Sequence, residues 1–491
     1  MPFDERFRGD PFRGDFPGRR DHEPWDDLEA VVRRQVIELT QRRFQPAIRH
    51  QVLRLIQQRR VLDPGGGTRD RIVTEFDVLP VNIGFDTLMA RGERGELLIT
   101  GQSYDGRHAP IGGWADNHYA KGYLDALGMT AADVDCEALR GRVVKLTHPD
   151  LSPQQLADVA KVLRTRGFSA AITNITPAAP VSKPPPGPKE SPSVGQFQLV
   201  RDQRAAARAV TPPELAEQRA LGRPARVAII DTGISKQPRT DGWLQGVDGD
   251  QDPLDLLPLP TGDGFLDFAA GHGTFVAGIV QQVASDVKIK VYRAADSDGA
   301  ASEVNVACEM IRAVVEDEFQ ILNLSLECQT PDDAPPIAIQ AALEIIGEWE
   351  RHTGKKVLIV AAAGNYGDRR PSWPAAFRRV ISVASLAPDM LPSPYSSHGP
   401  AITFSTIGEG LRSTYVQGQE SPLVNPEPQT FGANAWAVWT GTSFAAPQIT
   451  GALAWLYQYE GIGLRKALRR LLAAGRPIPD FGQALKILPG I

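Results

Sequence analysis

From about residue 196 to the C-terminus, short apolar runs alternate with helical patterns, and this alternation constrains the fold more than any other feature. The runs are residues 227–230, 287–292, 321–326, 357–363 and 380–384. Helical patterns over 302–315 and 336–350 lie between them. Apolar strands separated by helices bury both faces of a sheet, so the spacing predicts an α/β fold with a mostly parallel sheet and helices on either side.

Three polar residues stand at the ends of these elements. Asp231 closes the apolar run Ala228-Ile229-Ile230 and precedes Thr232-Gly233. Open α/β sheets place their ligands at that carboxyl edge. His272 sits between Gly271 and Gly273, which let the backbone come close, and opens a helix carried by Phe275, Val276, Ile279 and Val280. Ser443, in Gly441-Thr442-Ser443-Phe444-Ala445-Ala446-Pro447, stands where a loop turns into a helix, with Pro447 expected in the first turn. Its N–H then points from a positive helix end, suited to an anion.

A serine hydroxyl is a weak nucleophile until a base takes its proton. Histidine titrates near neutrality, and a carboxylate can fix its tautomer and stabilise the imidazolium. Ser443 is therefore the candidate nucleophile, His272 the general base and acid, and Asp231 the orienting carboxylate. Taken singly, each motif reads as a strand-end turn or a helix cap. Together, in the order Asp, His, Ser, the chain over about residues 220–475 resembles the subtilisin-like serine peptidases, whose triad runs in that order.

The resemblance implies a three-layer subtilisin-like fold and peptide-bond hydrolysis through an acyl-enzyme. It also implies that Asn365, at the end of Val360-Ala361-Ala362-Ala363-Gly364, donates its amide to the oxyanion. Ser325, Leu326, Glu327 and Gly364 are then the candidate substrate-binding residues. Two positions depart from the family pattern. Glu327-Cys328 stands where a Gly-Gly pair usually follows Ser-Leu, so Glu327 narrows the cleft, favours a basic substrate residue, or points to solvent. Phe444 replaces a common methionine, an apolar swap. Residues 416–434 read as an insertion that can rim the cleft.

No cofactor is expected. Asp248, Asp250, Asp252, Asp255, Asp263 and Asp267 crowd one loop, where structural calcium is the alternative to a solvated acidic loop. They lack the glycine and final glutamate of an EF-hand.

Upstream, residues 1–25 read as a charged disordered tail with a tandem Phe-Arg-Gly-Asp, and 26–63 as a helical segment interrupted by Pro46. Residues 70–176 read as a small α/β domain with strands at 72–78 and 96–100. Its clearest part is a βαβ-like unit: strand 143–146, a capping box at Ser152 with Pro153 in the first turn, and strand 170–175. It resembles the folded propeptide of the same family in pattern alone. A cleaved, zymogen-type propeptide and a retained regulatory domain both fit. Residues 177–195 are a Pro-rich linker preceding the catalytic unit, 196–491.

At 491 residues and 42% hydrophobic, the chain can bury a full core in more than one domain. A net charge of −5 gives no case for nucleic acid or a membrane surface. The partners expected are a protein or peptide substrate and an activating or recruiting protein at the N-terminal region. Cys136, Cys308 and Cys328 are too sparse for a disulfide framework and fit a reducing compartment. With no visible signal or membrane span, a dedicated cytoplasmic processing protease is the expectation.

Overall fold

The computed structural model describes residues 76–79, 90–93, 96–104, 120–151, 153–174, 176, 224–256, 264–297, 299, 301–330, 333–420 and 428–490. The predicted tail, the helical segment 26–63, the linker 177–195, Ser152 of the capping box and Asp263 lie outside them.

The N-terminal unit carries β1 (Glu96–Thr100), α1 (Lys121–Ala126), β2 (Thr130–Asp133), β3 (Val143–Thr147), α2 (Pro153–Thr165) and β4 (Ala170–Ile172). These four strands form one sheet in the order β2-β3-β1-β4, every neighbouring pair antiparallel, and Phe76–Leu79 pairs antiparallel with Ala90–Glu93 in a separate two-stranded sheet. The βαβ reading holds in split form, because β1 lies between β3 and β4. Alternation along β1 assigns its two faces. Leu97 and Ile99 bury against Leu156, Ala160 and Leu163 of α2. Leu98 turns the other way, into a core shared with the C-terminal unit.

That unit carries β5 (Arg226–Asp231), β6 (Asp248–Gly249), α3 (His272–Val283), β7 (Lys288–Arg293), α4 (Glu303–Ile311), β8 (Ile321–Leu324), α5 (Ile337–Thr353), β9 (Leu358–Ala362), β10 (Ile381–Leu386), β11 (Phe404–Ile407), β12 (Leu411–Thr414), β13 (Trp436–Trp439), α6 (Thr442–Tyr459), α7 (Leu464–Ala474), β14 (Arg476–Ile478) and β15 (Gly482–Ala484). Among the described residues nine of these strands form one sheet in the order β14-β15-β11-β10-β9-β8-β5-β7-β6. Every pairing is parallel except β14 with β15.

The three layers follow from period-two burial. Val227, Ile229, Val291 and Val360 pack with α3 and α6 on one face. Ala228, Ile230, Leu322 and Ile359 pack with α4 and α5 on the other. The expected α/β architecture is found, and it sets the C-terminal ends of β5, β8 and β9 side by side.

The N-terminal sheet covers α4 and α5. Leu98, Leu139 and Val143 are fully buried in the core that holds Met310, Ile311 and Ile346. Burying such a side chain contributes roughly 1.5–3 kcal/mol. The bidentate Arg142–Glu348 pair (2.8 and 2.6 Å) joins the same units but is 38% and 44% exposed, worth about 0–1 kcal/mol. Apolar burial therefore dominates the docking. Beyond β4, Asn174 and Thr176 run onto the start of α4: Glu303 N donates to Asn174 O (2.9 Å) and Thr176 N to Ala301 O (2.7 Å).

A covalent bond joins the units as well. Cys136, beside β2, and Cys308, in α4, form a disulfide across 172 residues, with Cα atoms 5.9 Å apart. Three sparse cysteines predict no disulfide framework, yet two of them form this bridge. Cys328 is a buried free thiol, its pKa pushed up chiefly by burial. Among the described residues no helix is long and apolar enough to cross a membrane.

Candidate active site

Asp231 is the last residue of β5 and fully buried. Its Oδ1 accepts from Thr232 N (2.8 Å) and lies 2.7 Å from His272 Nδ1. A carboxylate can only accept, so Nδ1 carries the hydrogen, and in the neutral imidazole the lone pair is then on Nε2. Nε2 is buried and has no hydrogen-bond partner among the described residues.

His272 is the first residue of α3. Gly271 before it has φ +75°, and a Cβ on Gly273 after it would lie 2.2 Å from Gly233 O. Gly273 thus lets the helix start press against the end of β5, while a Cβ on Gly271 would meet Val416 and Tyr415. Asp252, one of the loop aspartates, clamps this junction. It accepts from Thr232 Oγ1 (2.9 Å), Gly271 N (2.9 Å) and Leu254 N (3.0 Å). Burial pushes its pKa up to about 7.

Ser443 is the second residue of α6 and fully buried. Its Oγ donates to Ser325 O (3.1 Å). Asp231 and His272 are thus hydrogen-bonded to each other, while the Ser443 hydroxyl turns to the strand end beyond β8. Pro447 lies in the second turn of α6, not the first, so it withholds the N–H that would reach the Ser443 carbonyl. Ser325 Oγ donates to that carbonyl instead (2.8 Å). Ser325 is itself held by Asn323 Nδ2 (2.9 Å), and Asn323 Oδ1 by Thr450 Oγ1 (2.9 Å).

Asn365 follows β9. Its Oδ1 accepts from Thr442 N and Thr442 Oγ1, both at 2.9 Å, which fixes which end of the amide is nitrogen. Its backbone N donates to Glu327 Oε2 (2.5 Å), and its Nδ2 approaches Glu327 Oε1 (3.5 Å). Glu327 is 6% exposed, so it is not a solvent-facing side chain. Burial pushes its pKa up to about 8. Leu326, a candidate substrate-binding residue, is fully buried in the core under α4 and α5. Gly364 has φ +106°, and a Cβ there would lie 2.5 Å from Ser372 Oγ and 2.9 Å from Glu327 Oε2.

Aromatic rings pack round the histidine. Phe444 lies 5.3 Å from the His272 ring and Trp439 meets it edge-on at 5.5 Å. Trp439 belongs to the β12–β13 hairpin that carries the 416–434 insertion, whose residues 421–427 lie outside the described ones. Trp439 and Asp252 carry no local pattern that marks them as neighbours of the site, and Thr442, although beside Ser443 in sequence, could not be read as the partner of Asn365.

Among the described residues, three other loop aspartates are engaged within the fold. Asp250 meets Arg312 and Arg293 N, Asp255 accepts from Gly264 N, and Asp267 accepts from Ser297 Oγ. Among the described residues no three His, Cys, Asp or Glu side chains converge as a metal site.

Comparison with known proteins identifies the family. The subtilase family model matches residues 222–474. The thermostable alkaline protease of Halalkalibacterium halodurans is 26% identical over 245 residues, covering 48% of this chain and 57% of that protein. The major intracellular serine protease of Bacillus subtilis is 26% identical over 277 residues, covering 52% and 75%. The chain thus spans little more than half the length of the first of these relatives. The structure of fervidolysin from Fervidobacterium pennivorans, described as a keratinolytic enzyme related to subtilisin, aligns with a TM-score of 0.52 at 16% identity, covering 81% of this chain and 60% of that one. That likeness concerns the fold alone. With the family model spanning just over half of the 491 residues, the chain belongs to the subtilase family.

Proposed function

We propose that the protein is a serine endopeptidase that hydrolyses peptide bonds through an acyl-enzyme. The observation that carries this reading is the 2.7 Å contact of His272 Nδ1 with Asp231, which leaves Nε2 as the basic atom of a buried imidazole. Ser443 Oγ leaves the Ser325 carbonyl for Nε2, gives up its proton there and attacks the substrate carbonyl. The Ser443 N–H at the start of α6 and the Asn365 amide receive the oxyanion. His272 then returns the proton to the leaving amine, and water, deprotonated by the same nitrogen, releases the acid product. The test is hydrolysis of fluorescein-labelled casein by wild type and Ser443→Ala. Turnover by wild type alone supports the reading, and equal fluorescence release by both proteins refutes it.

We read the N-terminal unit as a regulatory domain retained on the peptidase. Its burial of α4 and α5 fits either a propeptide or a permanent domain, but the Cys136–Cys308 disulfide favours retention. An intracellular role is supported only by likeness to the major intracellular serine protease of Bacillus subtilis. The disulfide weighs against a reducing compartment.

A further inference from the structure

Glu327 occupies a position that the serine-peptidase chemistry above does not use. Its carboxyl is buried, turned inward from the strand end beyond β8, and in contact with both amides of Asn365. The Asn365 side chain is thereby held from two directions, its oxygen by Thr442 and its nitrogen side by Glu327. We propose, resting on the endopeptidase reading, that Glu327 is a positioning residue of the oxyanion site and performs that role as the uncharged acid.

The surroundings favour the neutral form. Among the described residues no lysine or arginine pairs with Glu327. The titratable groups facing it are Asp368, Tyr366 and Cys328, none of them a cation. Asp368 accepts from Gln329 Nε2 (2.8 Å) and Arg370 N (3.1 Å), while the Arg370 guanidinium is bound to Asp333. Burial accordingly raises the Glu327 pKa to about 8.

Charge decides what Glu327 does to the reaction. As the acid, it accepts from the Asn365 backbone N–H through a carbonyl oxygen and keeps only the long 3.5 Å contact with Nδ2, whose hydrogens can turn to the oxyanion. As the carboxylate, it draws Nδ2 toward itself by a charge-assisted hydrogen bond and sets a negative charge beside the site where another must develop. Activity is therefore present below the Glu327 pKa and lost as pH rises through it.

The experiment is kcat and KM from pH 6 to 10 for a quenched fluorescent casein peptide, with Tm recorded for each protein. Wild-type kcat is expected to fall about ten-fold between pH 7 and 9, as a single group near 8 dictates. In Glu327→Gln, which cannot ionise, the ratio of kcat at pH 7 to kcat at pH 9 falls close to one. Glu327→Ala, lacking the acceptor, loses about 10- to 100-fold in kcat at pH 7 with KM nearly constant. A flat wild-type profile, or the same alkaline fall in Glu327→Gln, overturns the proposal while leaving the endopeptidase standing. If wild type cleaves nothing at any pH, the endopeptidase reading falls and takes this proposal with it. The Glu327→Gln profile decides even if Glu327→Ala does not fold.

Discussion

Ser325 and Ser443 exchange hydrogen bonds across the site. Ser325 Oγ donates to the Ser443 carbonyl at 2.8 Å, and Ser443 Oγ donates to the Ser325 carbonyl at 3.1 Å. The first bond exists because Pro447, four residues along α6, has no N–H to give. The Ser443 backbone is thus held by a side chain from just beyond β8 instead of by its own helix.

This arrangement makes Ser325→Ala costly. It leaves a buried carbonyl short of a donor, a loss of about 1–3 kcal/mol in urea unfolding. Pro447→Ala supplies the missing N–H, so the double variant should lose less than Ser325→Ala alone. A double-mutant cycle with no coupling would show that the two positions do not share the Ser443 carbonyl.

Asn365→Ala removes the proposed side-chain donor to the oxyanion. We expect kcat to fall about 100- to 1,000-fold with little change in KM, the magnitude that subtilisin itself shows for such a donor. A loss confined to KM would place Asn365 in ground-state binding instead.

Glu303, at the start of α4, is fully buried and accepts from Asn174 N (2.8 Å), Asn174 Nδ2 (2.9 Å) and Ala338 N (2.9 Å). Burial raises its pKa from 4.5 to about 7. A raised folded-state pKa gives stability that is fully present below the unfolded value and lost as pH rises through the folded one. Ser443→Ala protein should therefore be less stable to urea at pH 8 than at pH 5, with Glu303 contributing on the order of a few kcal/mol. Adding Glu303→Gln should shrink the difference. An unchanged difference would assign it to other groups.

The Cys136–Cys308 disulfide predicts the fate of a nicked chain. If a protease site is placed within residues 177–195 and cut, the N-terminal piece should stay with the peptidase under non-reducing denaturing conditions and separate only after reduction. Casein hydrolysis by the nicked enzyme should rise on adding dithiothreitol. Separation without reductant would show that the bond does not form in solution.

The central strands were legible because runs such as Val227–Ile230 are buried on both faces, and a continuous apolar run reports that directly. The triad residues stand out because Asp231, His272 and Ser443 each occupy an element end flanked by glycine or a helix start. The strand Phe404–Ile407 was missed: Ser405 and Thr406 at its centre look like surface residues yet are fully buried. The disulfide was missed because pairing across 172 residues depends on how two units dock, which local pattern does not carry. Glu327 could be singled out as an odd residue, but its inward orientation depends on where Asn365 lies in space.

The most direct test of the account is the mass of the intact protein after treatment with diisopropyl fluorophosphate, followed by mapping of the modified peptide. The account expects one phosphoryl adduct on Ser443, absent in Ser443→Ala and strongly slowed in His272→Ala. Wild-type protein that stays unmodified while folded, or an adduct that persists in Ser443→Ala, would contradict it.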